Sequence, residues 1–239
     1  MNDIIALIAP PWWLIPSNNT VTATEHLVED YSYNLTKNGY KNIVYSRKKD
    51  KTDALETEDV NQYHNEHEYI KVSVIDRKVL KYFAKNNYST SILFYLIYII
   101  KISLSIRKRK IKNVIVFQTF PFCFWIKILN KNLKLIYHIG NHELSKTDKY
   151  FNYEIISDKV ARRVLPKIDH IITVSKYLQD SIVKRFPLLE GKCTCIYPGI
   201  DLDIFEPKCD EKNEKIIIYT GRVVPEKGLH ILTKAFKLL

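Results

Sequence analysis

A doubly wound α/β fold, a parallel sheet with helices on both faces, is what this 239-residue sequence predicts. Three observations carry the prediction. Short runs dense in Val, Ile and Leu recur along the chain, and segments of helical periodicity separate them. The runs are continuously apolar rather than alternating, as strands buried on both faces are. The composition is 46% hydrophobic, which is enough for a sizeable core.

Taken in order, residues 3–9 read as a first strand that stops at Pro10 and Pro11. A helix over 25–37 follows, with Leu27, Val28, Tyr31 and Leu35 along one side and Gly39 just past its end as a stop. Residues 41–46 and 69–75 read as the next strands, 113–118 as one whose interior is all Val, Ile and Phe, and 134–139 as another. Residues 168–174 form a further strand leading into Ser175, a good N-cap for a helix over 176–185. A strand over 193–197 ends in Pro198-Gly199, a type II turn signal. The polar stretch 208–215 has the composition of a linker or hairpin. Beyond it a strand over 216–220, a loop over 221–227 and an amphipathic helix over 228–239 restart the pattern, with Leu229, Leu232, Ala235, Phe236 and Leu239 on one face. A lone strand and helix cannot bury their own apolar sides. We therefore expect a first domain over 1–207 and the opening of an incomplete second domain over 208–239.

The net charge is +11, and its placement matters more than its size. Between Arg77 and His142 stand thirteen Lys and Arg residues and no acid, so one basic face is expected. A phosphate-bearing lipid surface, a nucleic acid or an anionic substrate would each suit it. The most apolar run, 92–100, is too short to span a bilayer and is followed by the cluster Arg107-Lys108-Arg109-Lys110. Residues 92–112 fit either a buried helix with a solvated basic end or a segment that meets an anionic membrane surface. No nucleic-acid-binding motif accompanies the charge, so nucleic acid is not expected as a partner. The four cysteines lack metal-ligand spacing, and no cluster of His or Cys supplies further ligands. Without a basic leader ahead of the first apolar run, a cytoplasmic, metal-free protein is expected, and the membrane reading of 92–112 would place it peripherally at the inner membrane face.

In open parallel sheets ligands sit beyond the carboxyl ends of the strands, so the loops leaving those ends hold the candidate residues. After the strand over 216–220 come Gly221-Arg222-Val223-Val224-Pro225-Glu226-Lys227-Gly228. The flanking glycines let backbone approach a ligand, and the helix that follows offers free N–H groups at its start. Arg222 can grip phosphate oxygens through two parallel N–H bonds, and Lys227 adds a point charge. A plain turn with two solvated cations is the other reading.

That stretch, the earlier Tyr197-Pro198-Gly199-Ile200-Asp201 and Val174-Ser175-Lys176-Tyr177-Leu178 together resemble glycosyltransferase family 4, which has the GT-B fold of two Rossmann-like domains. The resemblance is tight from about residue 168 onward and loose before it. It implies transfer of a sugar from a nucleotide-sugar donor, with retention of configuration and no metal or other cofactor. It places Gly221, Arg222, Lys227 and Gly228 at the donor diphosphate, where the two cations stabilise the leaving group. The implied acceptor is a glycan or lipid-linked sugar of cell-surface polysaccharide synthesis. Relatives often carry a His at the position held here by Gly140; His138 and His142 flank it and are the candidate catalytic residues. A satisfied interior histidine and an exposed loop histidine are the alternative for that pair. The first loop, with Trp12, Trp13, Asn18 and Asn19, lacks the paired glycines usual there. Its tryptophans suit a sugar platform or a loop anchor. The family's second domain also supplies two glutamates for the donor sugar, and none follows Gly228 here. The rival reading is a non-catalytic remnant or a membrane-docking subunit that needs a separate donor domain.

Overall fold

The structure is a computed structural model and describes residues 4–10, 23–47, 66–70, 87–145, 156–200, 202, 205, 216–221 and 223–237. The strands are β1 (Ile5–Ile8), β2 (Asn42–Arg47), β3 (Glu66–Ile70), β4 (Asn113–Phe117), β5 (Lys134–Ile139), β6 (His170–Thr173) and β7 (Cys193–Cys195). All pair in parallel in one sheet of order β3-β2-β1-β4-β5-β6-β7. The α/β class expected from the sequence is therefore the one observed.

The chain winds leftward from β1 and rightward from β4. Crossovers between parallel strands are right-handed, so reversing direction sends the connecting helices to opposite faces. Helix α1 (Ala23–Lys37) covers one face, where Val28 meets Leu7, Ala9, Val44, Ile115 and Phe117. The other face carries α2 (Asn87–Lys108), α3 (Phe120–Leu129), α4 (Asp158–Val164) and α5 (Lys176–Arg185). There Ala6, Ile8, Tyr45, Val116, Leu135 and Tyr137 pack on Tyr98, Ile102, Cys123, Ile126, Ala161 and Ile182. Each large aliphatic side chain buried this way contributes roughly 1.5–3 kcal/mol.

Buried polar groups fix the elements in register. The Tyr98 hydroxyl donates to the Ala9 and Tyr45 carbonyls at 3.0 and 3.3 Å, which ties α2 to the carboxyl ends of β1 and β2. Helix α1 ends in a Schellman arrangement in which Tyr40 N–H reaches the Leu35 carbonyl and Gly39 N–H reaches that of Thr36, each at 2.9 Å. The Ser175 hydroxyl accepts from Leu178 N–H at 3.2 Å, the N-cap the sequence predicts for α5.

Several boundaries differ from the sequence reading. Strand β3 lies at Glu66–Ile70, earlier than the expected 69–75, of which 71–75 fall outside the described residues. Helix α3 escapes prediction because FPFCFWIKIL is apolar nearly all round and shows no 3.6-residue pattern. Residues 216–220 have no strand pairing. A strand exists only through its neighbours, and no described segment offers an edge to this one. Helix α6 (Leu229–Phe236) buries none of its described side chains, and Ile231 and Phe236 stand more than 60% exposed. The linker 208–215 lies outside the described residues. No helix among the described residues is long and apolar enough to cross a membrane.

Candidate functional site

The sheet reverses direction between β1 and β4, and the crevice beyond the strand ends at such a reversal is where open α/β sheets bind ligands. Pro10 leaves β1 there, Gln118 and Thr119 leave β4, residues 140–145 leave β5, and Val174 and Ser175 leave β6. Residues 196–200 run on from β7 beside them. Trp12, Trp13, Asn18 and Asn19 of the first loop lie outside the described residues.

His138 occupies the last full turn of the pleat before this edge, and its ring points to the α1 side. It stacks on Phe117 with centroids 5.1 Å apart and meets the Tyr31 ring edge-on at 5.3 Å. Only 1% of it is exposed, and among the described residues Nδ1 has no hydrogen-bond partner. Burial lowers its pKa to about 4, so the imidazole is neutral and ready to donate or accept rather than to carry charge. It forms the floor of a groove of about 740 Å³ between α1 and residues 196–200 with Leu202, and Tyr31, Asn34, Tyr197 and Ile200 are among the walls.

His142 lies in the loop beyond β5 on different terms. It is half-buried, its Nδ1 is 3.1 Å from the Ser145 hydroxyl, and its ring faces Tyr177 at 6.1 Å. Partial burial lowers its pKa as well. The loop is shaped locally, because Glu143 N–H bonds the Asn141 side chain at 3.2 Å and Ser145 N–H bonds the His142 carbonyl at 3.0 Å. The two candidate histidines thus face different surroundings, one inside the α1 layer and one on the crevice rim.

Two residues here carry features that no sequence motif marked. Glu143 is buried against Tyr137, whose hydroxyl donates to it, and burial raises its pKa to about 7. The only sequence signal was position, since it is the first acid after Asp76. Gln118 has a left-handed backbone, φ 45°, at the end of the central strand. Nothing in residue type announces that.

The loop expected to meet a diphosphate is described in part. Gly221 and Gly228 hold φ of 150° and 70°, conformations that side chains rarely adopt. Lys227 closes a 3₁₀ turn over Pro225–Lys227 and is exposed, and Gly228 then caps α6. Arg222 lies outside the described residues. Among the described residues, no group of His, Cys, Asp and Glu is arranged to hold a metal.

With this geometry in hand, comparisons with known proteins agree with one another. A sequence model of Glycosyltransferase Family 4 matches residues 24–204. Spore coat protein SA of Bacillus subtilis is 29% identical over 107 residues, 38% of this chain and 28% of that protein. The putative glycosyltransferase YtcC of the same organism is 26% identical over 109 residues, 39% of this chain and 27% of that protein. Among solved structures, sucrose-phosphate synthase from Thermosynechococcus elongatus superposes with a TM-score of 0.65 at 18% identity, over 99% of this chain and 60% of that one. The last likeness is one of fold. The match to each curated relative spans less than a third of that relative's length.

Proposed function

Because this chain belongs to glycosyltransferase family 4, we propose that it is the acceptor-side part of a retaining enzyme that moves a sugar from a nucleotide-sugar donor to a glycan or lipid-linked acceptor. Cell-surface polysaccharide synthesis in the cytoplasm, at the inner membrane face, is the setting this reading assigns. The observation that carries it is the loop from Gly221 to Gly228, which has a positive-φ glycine at either end, the second of them capping a helix, and the sequence's Arg222 and Lys227 next to them. Charge builds on the diphosphate as the glycosidic bond breaks, and fixed donors meet it without reorganising. The reading gives that work to Arg222 and Lys227 rather than to a metal ion. His142, and His138 through the groove it floors, are the groups assigned to sugar hydroxyls. The test is transfer and hydrolysis of a panel of nucleotide sugars by the wild type and Arg222→Ala. A loss of about 10²–10³ in rate is expected. An Arg222→Ala variant as active as the wild type rejects the assignment, and a wild type inert toward every donor favours a non-catalytic docking subunit.

A membrane-facing surface is the second part of the reading. On α2, Ile100, Leu104, Arg107 and Lys108 form one exposed stripe, and on the adjacent α3 Trp125 and Ile128 are exposed on successive turns. Apolar side chains rimmed by Arg and Lys suit an anionic bilayer. Cosedimentation with phosphatidylglycerol-rich vesicles tests it. Binding that is lost in Leu104→Glu/Trp125→Glu supports the surface, and equal recovery with pure phosphatidylcholine counts against it.

A further inference from the structure

Gln118 is the last residue of the central strand in sequence terms, and its N–H still donates to the His138 carbonyl at 3.0 Å. Its backbone then turns left-handed, φ 45°, a region that residues with a Cβ rarely enter. The side chain is thereby brought over Gly140 of the neighbouring strand end. A Cβ at position 140 would stand 2.6 Å from the Gln118 amide nitrogen and 3.7 Å from Val174. The Gln118 carboxamide therefore occupies the space that a side chain at 140 would take, and Val174 borders that same space. Among the described residues the carboxamide has no hydrogen-bond partner, and Gln118 is half-buried.

A strained backbone, an amide held by packing and a missing side chain beneath it occur together at the crevice beside the sheet reversal. Packing alone does not call for an amide there, because an aliphatic side chain would fill the same space. Strain maintained around an unspent polar group is what a preorganised contact looks like. We propose that the Gln118 carboxamide is a specificity-determining contact for a sugar hydroxyl in this crevice. The amide donates and accepts at once and carries no charge, so it matches a hydroxyl, which does the same, better than a phosphate, which only accepts. The ligand class is thus the neutral sugar ring. The proposal rests on the glycosyltransferase reading for the identity of the crevice and not for the geometry.

Saturation-transfer NMR of the chain with methyl glycosides of glucose, galactose, mannose and N-acetylglucosamine tests the contact without requiring turnover. Gln118→Ala and Gly140→Ala, which removes the amide or displaces it, are each expected to weaken the bound glycoside about three- to tenfold, the loss of one neutral hydrogen bond. Gln118→Ala/Gly140→Asn returns an amide to the vacated space from the other strand and is expected to recover part of the binding. Thermal melting accompanies each variant, because Gln118→Gly relieves the backbone and should melt no lower than the wild type while binding as weakly as Gln118→Ala. Glycoside binding unchanged in the single variants, or absent from the wild type, overturns the proposal. Binding that depends on Gln118 in a protein inert toward every nucleotide sugar leaves it standing and removes the transferase reading instead.

Discussion

The Tyr137 hydroxyl donates a hydrogen bond to the Glu143 carboxylate, from within β5 to the loop just beyond it. Burial lifts that carboxyl from its ordinary 4.5 to about 7. The Cys123 thiol on α3 is pushed up first by its own burial and then by Glu143's charge. At about pH 6 the folded protein therefore holds a proton that the unfolded chain has released. On the opposite face, burial takes His138 from 6.5 down to about 4, so the folded protein there lacks a proton that the unfolded chain holds.

These two groups oppose each other. The Glu143 contribution is full below pH 4.5 and is lost as pH rises toward 7; the His138 contribution is full above 6.5 and is lost as pH falls toward 4. In the overlap each tilts stability by up to about 1.4 kcal/mol per pH unit, with opposite sign. Urea denaturation from pH 4.5 to 6.5 should show the tilts separately once one group is removed. Stability of Glu143→Gln is expected to rise with pH more steeply than that of the wild type, and stability of His138→Phe to fall with it. Parallel profiles for all three proteins would mean that neither group is buried as described.

The difference between these two residues shows what was legible in the sequence. The strand that carries His138 was plain from its Leu, Ile and Tyr content, and so were the Ser175 cap and the stop at Gly39, because each is a local device. Which side of the sheet His138 faces is settled by Tyr31 and Phe117, which come from other elements, and no spacing encodes it. The tilt of Gln118 depends on the absence of a side chain at Gly140 across the sheet. Helix α3 was hidden for the opposite reason, since an element that is apolar on most sides has no periodicity to read.

Lys110 makes the helix stop of α2 with the wrong residue. Its φ is 55°, and the Schellman bonds run from Ile111 N–H to the Ile106 carbonyl at 3.0 Å and from Lys110 N–H to Arg107 at 3.1 Å. A left-handed L residue costs about 1–2 kcal/mol, part of which glycine gives back through its freer unfolded state. Lys110→Gly is expected to stabilise the fold by about 0.5–1 kcal/mol, read as a higher urea midpoint with unchanged slope. Lys110→Ala keeps the strain and should show no gain.

Asn42 joins the start of β2 to the end of α1. Its amide donates to the Ser32 carbonyl at 3.1 Å and to the Thr36 hydroxyl at 2.9 Å, and its oxygen accepts from the Ser32 hydroxyl at 2.6 Å. The pair is buried, so truncation removes the bonds and strands the partners. Asn42→Ala should cost about 1–3 kcal/mol in the same denaturation series. Asn34→Ala, which loses one exposed bond to the Asp30 carbonyl, is expected to stay within about 0.5 kcal/mol of the wild type.

Arg185 ends α5 with its side chain only 6% exposed. Its guanidinium donates to Asp158 at 2.7 Å, to the Ile156 carbonyl at 2.7 Å and to the Leu144 carbonyl at 3.1 Å, and lies 4.8 Å from the Phe186 ring centre. One planar cation thus fastens the exit of the loop after β5, the entry to α4 and the end of α5. The carbonyls are the part that matters. The Asp158 side chain is 54% exposed, and water readily replaces its share of the ion pair. Asp158→Asn is therefore expected to cost less than about 1 kcal/mol. Arg185→Met keeps the apolar stem but leaves two part-buried carbonyls without this donor and should cost about 2–4 kcal/mol. Arg185→Lys keeps the charge and still loses the fork that spans three acceptors, so it should fall between the two. Equal losses for Asp158→Asn and Arg185→Met would show that the ion pair, not the fork on the carbonyls, holds these segments together.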